Sequence, residues 1–219
     1  MPLDTARRIP LWLKVPFTVF MAIQIPAYWH HYGPTIFLYF CDVALLLTLI
    51  AVWTESPILC SAALVGICLP QMVWIVDFFF ALAGTPLSVL TAYMFDETRP
   101  LYMRLLSSFH FWLPIYLIWV VSLVGFAKRG ILLWTGLTWV LLAVSFLFVP
   151  PPGHYADPRL LVNINFVYGF SLTEEQRWLN RHVYLALLML AWPVALCVPT
   201  HLLCWLVMPR RQQTGEGLA

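Results

Sequence analysis

Cys41 and Asp42 place a thiol beside a carboxyl group inside an apolar stretch of the chain. At membrane depth a carboxyl group costs on the order of 2.5 to 3.5 kcal/mol on insertion scales, so it usually faces a bundle interior and has a partner or a function. A thiol becomes a nucleophile when a nearby base favours the thiolate, and His110 is a candidate base. With an aspartate to orient the imidazole, Cys41 and His110 would form a triad for acyl transfer. Asp42 and Asp77 are the candidate aspartates.

Helix geometry limits how Cys41 and Asp42 can act together. Adjacent residues of a helix point about 100° apart, so both are not expected to face one small site equally. If Asp42 is the inward residue, Cys41 is packing and the site is a pair of acid and histidine. Separate roles are the alternative: His110 as a buried neutral histidine bonded to a neighbour, and Asp77 as a carboxylate reached by water or by an outer arginine.

Zinc is a competing prediction. His30 and His31, with His110 and an aspartate, have the imidazole and carboxylate donors that zinc prefers. Adjacent histidines rarely bind the same ion, and the sequence contains no His-x-x-x-His or His-Glu-x-x-His pair. The five cysteines form no Cys-x-x-Cys pair. We therefore predict no metal site and no cofactor, and a zinc-dependent lipid hydrolase is the weaker alternative.

The elements that must position these residues are membrane helices. The chain is 62% hydrophobic and 10% charged, with a mean hydropathy of +0.83. A helix needs about 20 apolar residues to cross a hydrocarbon core of about 30 Å. Six stretches meet this requirement: 10–29, 34–54, 57–82, 103–127, 130–149 and 182–208. The predicted fold is all-α, with residues 1–219 forming a single six-helix membrane domain. A membrane lipid is the expected partner, and the net charge of +2 gives no reason to expect nucleic acid.

Charge distribution predicts the orientation in the membrane. One side of this topology carries seven cations, namely Arg7, Arg8, Lys14, Lys128, Arg129, Arg210 and Arg211. The positive-inside rule then places both termini in the cytoplasm and the protein in the cytoplasmic membrane. The two long loops, 84–104 and 150–181, lie outside, where loops of this length are often lids or binding loops. The apolar part of the first, 84–95, is too short to span, and we expect a re-entrant or interfacial segment there.

Counting residues from the helix ends places the candidate residues in the same half of the membrane. Counting about 1.5 Å per residue places Asp42 about 12 Å, His110 about 10 Å and Asp77 about 8 Å below the outer ends of their helices. Gln71 and Trp74 share a helical stripe with Asp77. We expect that stripe to line a cavity in the outer half.

Three short motifs carry a resemblance to a known family. They are Tyr-Phe-Cys-Asp-Val-Ala-Leu-Leu-Leu at 39–47, Ser-Phe-His at 108–110 and Asn-Ile-Asn-Phe-Val-Tyr at 163–168. The pattern resembles the YwaF-type integral membrane proteins of bacteria, whose eukaryotic relatives include a transmembrane lipid acyltransferase and, more distantly, the androgen-induced membrane hydrolases of fatty acid esters. The resemblance implies a six-helix bundle that handles acyl chains, with Cys41 as the acyl-accepting nucleophile and His110 as its base. Tyr39 stands where the family has a histidine.

The sequence therefore predicts an integral-membrane enzyme that transfers or hydrolyses the acyl group of a lipid from the outer leaflet. Cys41 and His110 would make and break the ester or thioester with help from Asp42. Asn163 and Asn165 would orient the head group or the oxyanion. The alternative from another class is a non-catalytic lipid-binding, transport or scaffold protein whose buried acids pack the helices.

Overall fold

The computed structural model describes residues 8–153 and 161–208, and the regular elements in these ranges are helices. Five helical segments are long and apolar enough to cross a membrane: Leu11–Tyr32, Pro57–Leu82, Leu101–Val124, Gly130–Phe148 and Arg181–Val207. Large apolar side chains cover their outward faces, as at Phe148, which is 77% exposed. The all-helical prediction is confirmed, and the five apolar helices support a membrane-embedded protein.

The helices follow one another in the order α1 Leu11–Tyr32, α2 Phe40–Thr54, α3 Pro57–Leu82, α4 Leu101–Leu106, α5 Phe109–Val124, α6 Gly130–Phe148, α7 Arg181–Trp192 and α8 Val198–Val207. Shorter 3-10 turns cover Pro34–Leu38, Ala92–Met94 and Ile164–Phe166. The helix expected over 34–54 is divided at Tyr39, whose φ of −64° and ψ of 138° are extended. The α2 helix therefore has only 15 residues, and five helical segments rather than six reach membrane length in the part of the chain that the structure describes.

Two other membrane segments are interrupted. Ser107 and Ser108 form a turn between α4 and α5, within the helix expected over 103–127. A π-helical segment, Pro193–Cys197, joins α7 to α8. Pro193 has no N–H to donate to the carbonyl group of Met189, and the indole Nε1 of Trp139 donates to that carbonyl instead at 2.8 Å.

The α3 helix is the centre of the bundle and packs most extensively against α2, α5 and α6. Small residues such as Ala62 and Ala63 are completely buried there, and small side chains allow membrane helices to approach closely. At Gly66 a Cβ atom would lie 1.8 Å from the ring of Trp134 in α6. Glycine is therefore the residue type that this crossing accommodates.

The two ends of the bundle are distinct. An ion pair between Lys14 and Glu55 joins the beginning of α1 to the residue after α2, at the end predicted to be cytoplasmic. Of the other cations used for that prediction, Arg7, Arg210 and Arg211 lie outside the described residues. At the opposite end, the segment 84–95 contains turns and the 3-10 turn Ala92–Met94 rather than an α-helix. Its re-entrant placement stays a prediction.

Candidate functional site

Asp42 and Cys41 lie in the first turn of α2, and Asp42 is the inward residue. Asp42 is 3% exposed, whereas Cys41 is half-buried. The Nε2 amide of Gln24 in α1 donates to Oδ1 of Asp42 at 3.1 Å. The thiol of Cys41 donates to Oδ2 at 3.5 Å. Although the two residues do not face the interior equally, the Cys41 side chain turns toward its neighbour, and a thiol and a carboxyl group share one site.

Asn165 holds the beginning of α2. Its Oδ1 accepts a hydrogen bond from the backbone N–H of Phe40 at 3.2 Å, and its Nδ2 donates to the carbonyl group of Leu38 at 2.8 Å and to the hydroxyl of Ser145 at 3.4 Å. The first N–H groups of a helix have no partner within the helix, so Asn165 supplies one from another part of the chain. Its amide therefore positions the helix that carries Cys41.

The amide of Asn163 is also fully used within the protein. Its Nδ2 donates to the carbonyl groups of Gly169 and Ser171 at 2.7 and 2.8 Å, and its Oδ1 accepts from the N–H of Tyr168 at 2.9 Å. Asn163 therefore holds the segment 163–171 together. The sequence predicted that Asn163 and Asn165 orient a substrate, and both are engaged in positioning the backbone.

His110 is held by the turn between α4 and α5. Its Nδ1 lies 2.8 Å from the carbonyl oxygen of Ser107. Because a carbonyl only accepts, Nδ1 carries the hydrogen and Nε2 is left as the acceptor. The ring stacks on Trp74 and Phe109, with centroid separations of 4.4 and 4.1 Å. Among the described residues, no hydrogen bond joins His110 to Cys41 or to an aspartate, so the expected histidine and thiol pair does not form in this structure.

Asp77 anchors the 84–104 loop instead of orienting an imidazole. Its Oδ1 accepts from the N–H of Ser88 at 2.7 Å, and its Oδ2 accepts from the N–H and the hydroxyl of Thr91 at 3.1 and 2.6 Å. The loop fixed in this way carries Tyr93, whose ring lies 6.5 Å from that of Trp74. Asp77 thus positions a tyrosine at the site.

Tyrosine side chains complete the polar cluster around Cys41 and Asp42. The hydroxyl of Tyr28 lies 2.7 Å from the hydroxyl of Ser107. Both Tyr28 and Tyr93 are within the range of electrostatic interaction with Cys41 and Asp42. Burial raises the pKa of Tyr93, which keeps its hydroxyl protonated and able to donate a hydrogen bond.

Sequence reasoning missed Gln24 and Tyr28. These two polar residues stand four positions apart in α1 and are 1% and 3% exposed. Residues four apart share one face of a helix, so this spacing within an apolar helix was the available signal. Tyr93 and Ser107 had no such signal, because they lie in a loop and in a helix interruption.

Comparison with family models, curated proteins and solved structures gives no match for this chain. The YwaF-type resemblance therefore stays an expectation carried by short motifs. The geometry of the polar cluster supplies the argument for function.

Several buried amide atoms of α1 and α3 lack hydrogen-bond partners. Within the described residues, both amide atoms of Gln71 and the Oε1 of Gln24 are buried without a hydrogen bond, and the Nε1 of Trp74 interacts with the side chain of Tyr93. Gln71 is 1% exposed and Trp74 is 5% exposed. A buried unsatisfied polar group costs about 1 to 3 kcal/mol. An arrangement of this kind suits a site in which a bound polar group supplies the missing partners.

The zinc alternative finds no ligand set in residues 8–153 and 161–208, where no group of three or more His, Cys, Asp or Glu residues could hold a metal ion. His31 instead packs edge-on against Tyr32, with ring centroids 4.6 Å apart. His110 is held at Ser107, as described above.

Proposed function

We propose that the protein is an integral-membrane enzyme that transfers or hydrolyses the acyl group of a lipid, with Cys41 as its nucleophile. The observation that carries this proposal is the 3.5 Å contact between the Cys41 sulfur and Oδ2 of Asp42 within a buried polar cluster. The base differs from the one expected from the sequence. Asp42 is within reach of the thiol, whereas His110 is bonded to Ser107.

The first half of the reaction forms a thioester. Asp42 accepts the thiol proton as the Cys41 sulfur attacks the carbonyl carbon of the ester, so that a C–S bond forms and the carbonyl oxygen takes the negative charge. When the tetrahedral intermediate collapses, the C–O bond breaks and protonated Asp42 returns the proton to the leaving alkoxide. The products are an acylated Cys41 and a free alcohol.

The second half regenerates the thiol. A water molecule in hydrolysis, or an acceptor alcohol in transfer, attacks the thioester carbon and gives its proton to Asp42. The C–S bond breaks, the acid or the new ester leaves, and Asp42 returns the proton to the Cys41 thiolate. No oxidant or metal takes part in these steps.

Gln71 and Trp74 provide the donors for the developing oxyanion. The Nε2 of Gln71 has no partner in the described structure, and the Nε1 of Trp74 interacts with the side chain of Tyr93. Preorganised donors aimed at developing charge are a large source of catalysis. The indole is held in place by its stacking on His110. This gives His110 a positioning role.

A six-crossing topology with an outward-facing site fits the local geometry. The 15 residues of α2 span about 22 Å, and the five residues of the preceding 3-10 turn add about 10 Å. Their sum matches a hydrocarbon core of about 30 Å. We place both termini in the cytoplasm of a cell whose inner membrane holds the protein, with the cluster in the outer leaflet.

Covalent capture tests the nucleophile. The purified protein is incubated with an activated long-chain ester, and the acylated residue is located by mass spectrometry. We expect acyl transfer to Cys41 in the wild type and none in Cys41→Ala. Cys68→Ala is the matched control, because Cys68 is also a half-buried cysteine of the bundle, and it should retain the adduct. An adduct at another residue that survives Cys41→Ala would overturn the assignment.

A non-catalytic lipid-binding protein is the second candidate, favoured by the hydrogen bonds that both carboxyl oxygens of Asp42 receive. Such buried polar pairs between membrane helices contribute about 1 kcal/mol each and fix the helix register. This candidate predicts lipid binding without any acyl adduct. Asp42→Asn separates the two: the enzyme loses at least about a hundredfold in acylation rate, whereas the binding protein has no rate to lose.

A further inference from the structure

A lateral groove lies beside the polar cluster, between α1 and the α4–α5 segment. Its volume is about 540 Å³, within the range of roughly 300 to 1,000 Å³ that is typical of ligand sites. Its walls include Phe20, Ile23 and Ala27 from α1 and Leu105 and Trp112 from the other side. Ile23 and Leu105 are 55% and 61% exposed, so the groove opens to the surface that faces lipid.

The groove runs along α1 from the proposed outer leaflet to about the middle of the membrane. Ala27 is five residues and Phe20 twelve residues from Tyr32, the last residue of α1, which correspond to depths of about 8 and 18 Å. Its long axis therefore follows the direction of the acyl chains in that leaflet.

A hydrogen-bonded pair from the polar cluster stands next to the groove in the chain. Ala27 and Ser108 line the groove, and their chain neighbours Tyr28 and Ser107 are hydrogen bonded to each other at 2.7 Å. Tyr28 in turn lies within electrostatic range of Asp42. Ser107 belongs to the turn between α4 and α5. One of the two residues of this hydrogen bond therefore lies where the helix is interrupted.

We infer that the groove holds an acyl chain of an outer-leaflet lipid and that the Tyr28–Ser107 pair controls passage of the ester from this groove to Cys41. The inference rests on the proposed function and names the entry side and the acyl subsite of the same site. Three observations select this occupant: the walls are almost entirely apolar, the wall residues Ile23 and Leu105 are exposed on the apolar outer surface of the bundle, and the chain neighbours of Ala27 and Ser108 belong to the polar cluster that contains Cys41.

Photolabelling tests the occupant. The protein is reconstituted in phosphatidylcholine vesicles that contain a phosphatidylcholine with a diazirine in its acyl chain, and cross-linked peptides are mapped. We expect labelling at Ile23, Leu105 and Trp112. Ala27→Trp fills the groove and should reduce this labelling about tenfold. Ala22→Trp is the matched control, because Ala22 is an exposed alanine of α1 that does not line the groove. Equal labelling in the two variants would overturn the inference.

Tyr28→Phe tests the passage, because it removes one hydroxyl and keeps the ring. We expect a membrane-soluble maleimide to modify Cys41 at least about threefold faster than in the wild type, with Cys68 as the internal reference. If the ratio of the Cys41 and Cys68 modification rates is unchanged, the Tyr28–Ser107 pair does not control passage to Cys41. If the groove is labelled but no thioester forms, the groove inference stands and the proposed enzymatic function is rejected. If a thioester forms but the photolabel is spread evenly around the protein, the groove inference alone is rejected.

Discussion

Gln24 donates a hydrogen bond to Asp42 at 3.1 Å and so joins α1 to α2 at the level of the site. Gln71, an equally buried glutamine of α3, has no hydrogen-bond partner for either amide atom within the described residues. The two side chains have the same chemistry and nearly the same burial. One contributes to the stability of the fold, and the other costs stability that a bound polar group would restore.

Leucine substitutions should separate the two glutamines. Gln24→Leu removes the donor from a buried carboxyl oxygen and should destabilise the protein by about 1 to 3 kcal/mol. Gln71→Leu removes two unsatisfied atoms at similar volume and should be neutral or stabilising by up to about 1 kcal/mol. Thermal unfolding in detergent measures both. Gln71→Leu should still slow acylation of Cys41 by about a hundredfold, since it removes an oxyanion donor. Equal destabilisation by both substitutions would contradict this distinction.

The hydrogen bonds of Asn165 predict a role in ordering α2. Asn165→Ala leaves the N–H of Phe40 and the carbonyl of Leu38 without their partner, and it places alanine at a φ of 57°. We expect a loss of about 2 to 3 kcal/mol in the free energy of unfolding. The matched control is Ser145→Ala, which removes only the 3.4 Å contact and should cost well under about 1 kcal/mol. Similar losses in the two variants would argue against Asn165 as the anchor.

The sequence predicted the all-helical class and the positions of the apolar segments, but it did not predict the breaks within those segments or the partners of the site. The bounds predicted for α3, 57–82, match Pro57–Leu82 because Ser56 and Pro57 are strong signals for a helix start. The break at Tyr39 was missed, since the apolar stretch continues through it. The choice of Asp42 rather than His110 beside the thiol depends on the turn at Ser107, which hydropathy does not reveal.

Long-range backbone contacts were equally invisible in the sequence. Asn165 reaches Phe40 across 125 positions, and no local pattern at either residue encodes that pairing. The stripe of Gln71, Trp74 and Asp77 was recognised from its spacing, and all three side chains are buried. Periodicity therefore identified which face of α3 is inside, whereas the partners of each side chain required the folded chain.

The contacts of Asp77 predict that the backbone amides of the 84–104 loop are protected from hydrogen exchange. The two carboxyl oxygens of Asp77 accept hydrogen bonds from Ser88 and Thr91. Asp77→Asn replaces one of these oxygens by an NH₂ group, which cannot accept. Amide hydrogen exchange at these two residues should accelerate by about ten- to a hundredfold, as expected for loss of local order. Asp96→Asn, in the same loop but bonded only to Thr98 and Arg99, is the control. Protection of Ser88 and Thr91 that survives in Asp77→Asn would contradict the prediction.

The interactions of Asp96 in the 84–104 loop should depend on pH. The hydroxyl of Thr98, its backbone N–H and then Arg99 hold the pKa of Asp96 below its ordinary value. Because the folded pKa is lowered, the interaction is fully present above the unfolded pKa of about 3.9 and is lost as the pH falls through the folded value. Thr98→Val should raise the midpoint of the Asp96 carboxyl titration, followed by ¹³C NMR. Thr173→Val, in the 150–181 loop, should leave the Asp96 midpoint unchanged. A midpoint that stays low in Thr98→Val would show that the hydroxyl is not the cause.

The crossing of α3 and α6 predicts opposite effects for two glycine substitutions. In Gly66→Ala the added methyl group would lie 1.8 Å from the ring of Trp134. Trp134 is fully buried, so the helices would have to separate. We expect a loss of about 3 kcal/mol or more in the free energy of unfolding, at the upper end of the usual cost of overpacking.

Gly136→Ala is the control in the same pair of helices, because a Cβ atom there meets nothing within 4 Å. Alanine is favoured over glycine in a helix interior by about 0.5 to 1 kcal/mol, and the protein should gain about that amount. Thermal unfolding of the two variants in the same detergent measures the difference. A tolerated Gly66→Ala would mean that α3 and α6 do not cross as closely as the structure places them. The small residues of α3 would then no longer explain why it packs against so many neighbouring helices.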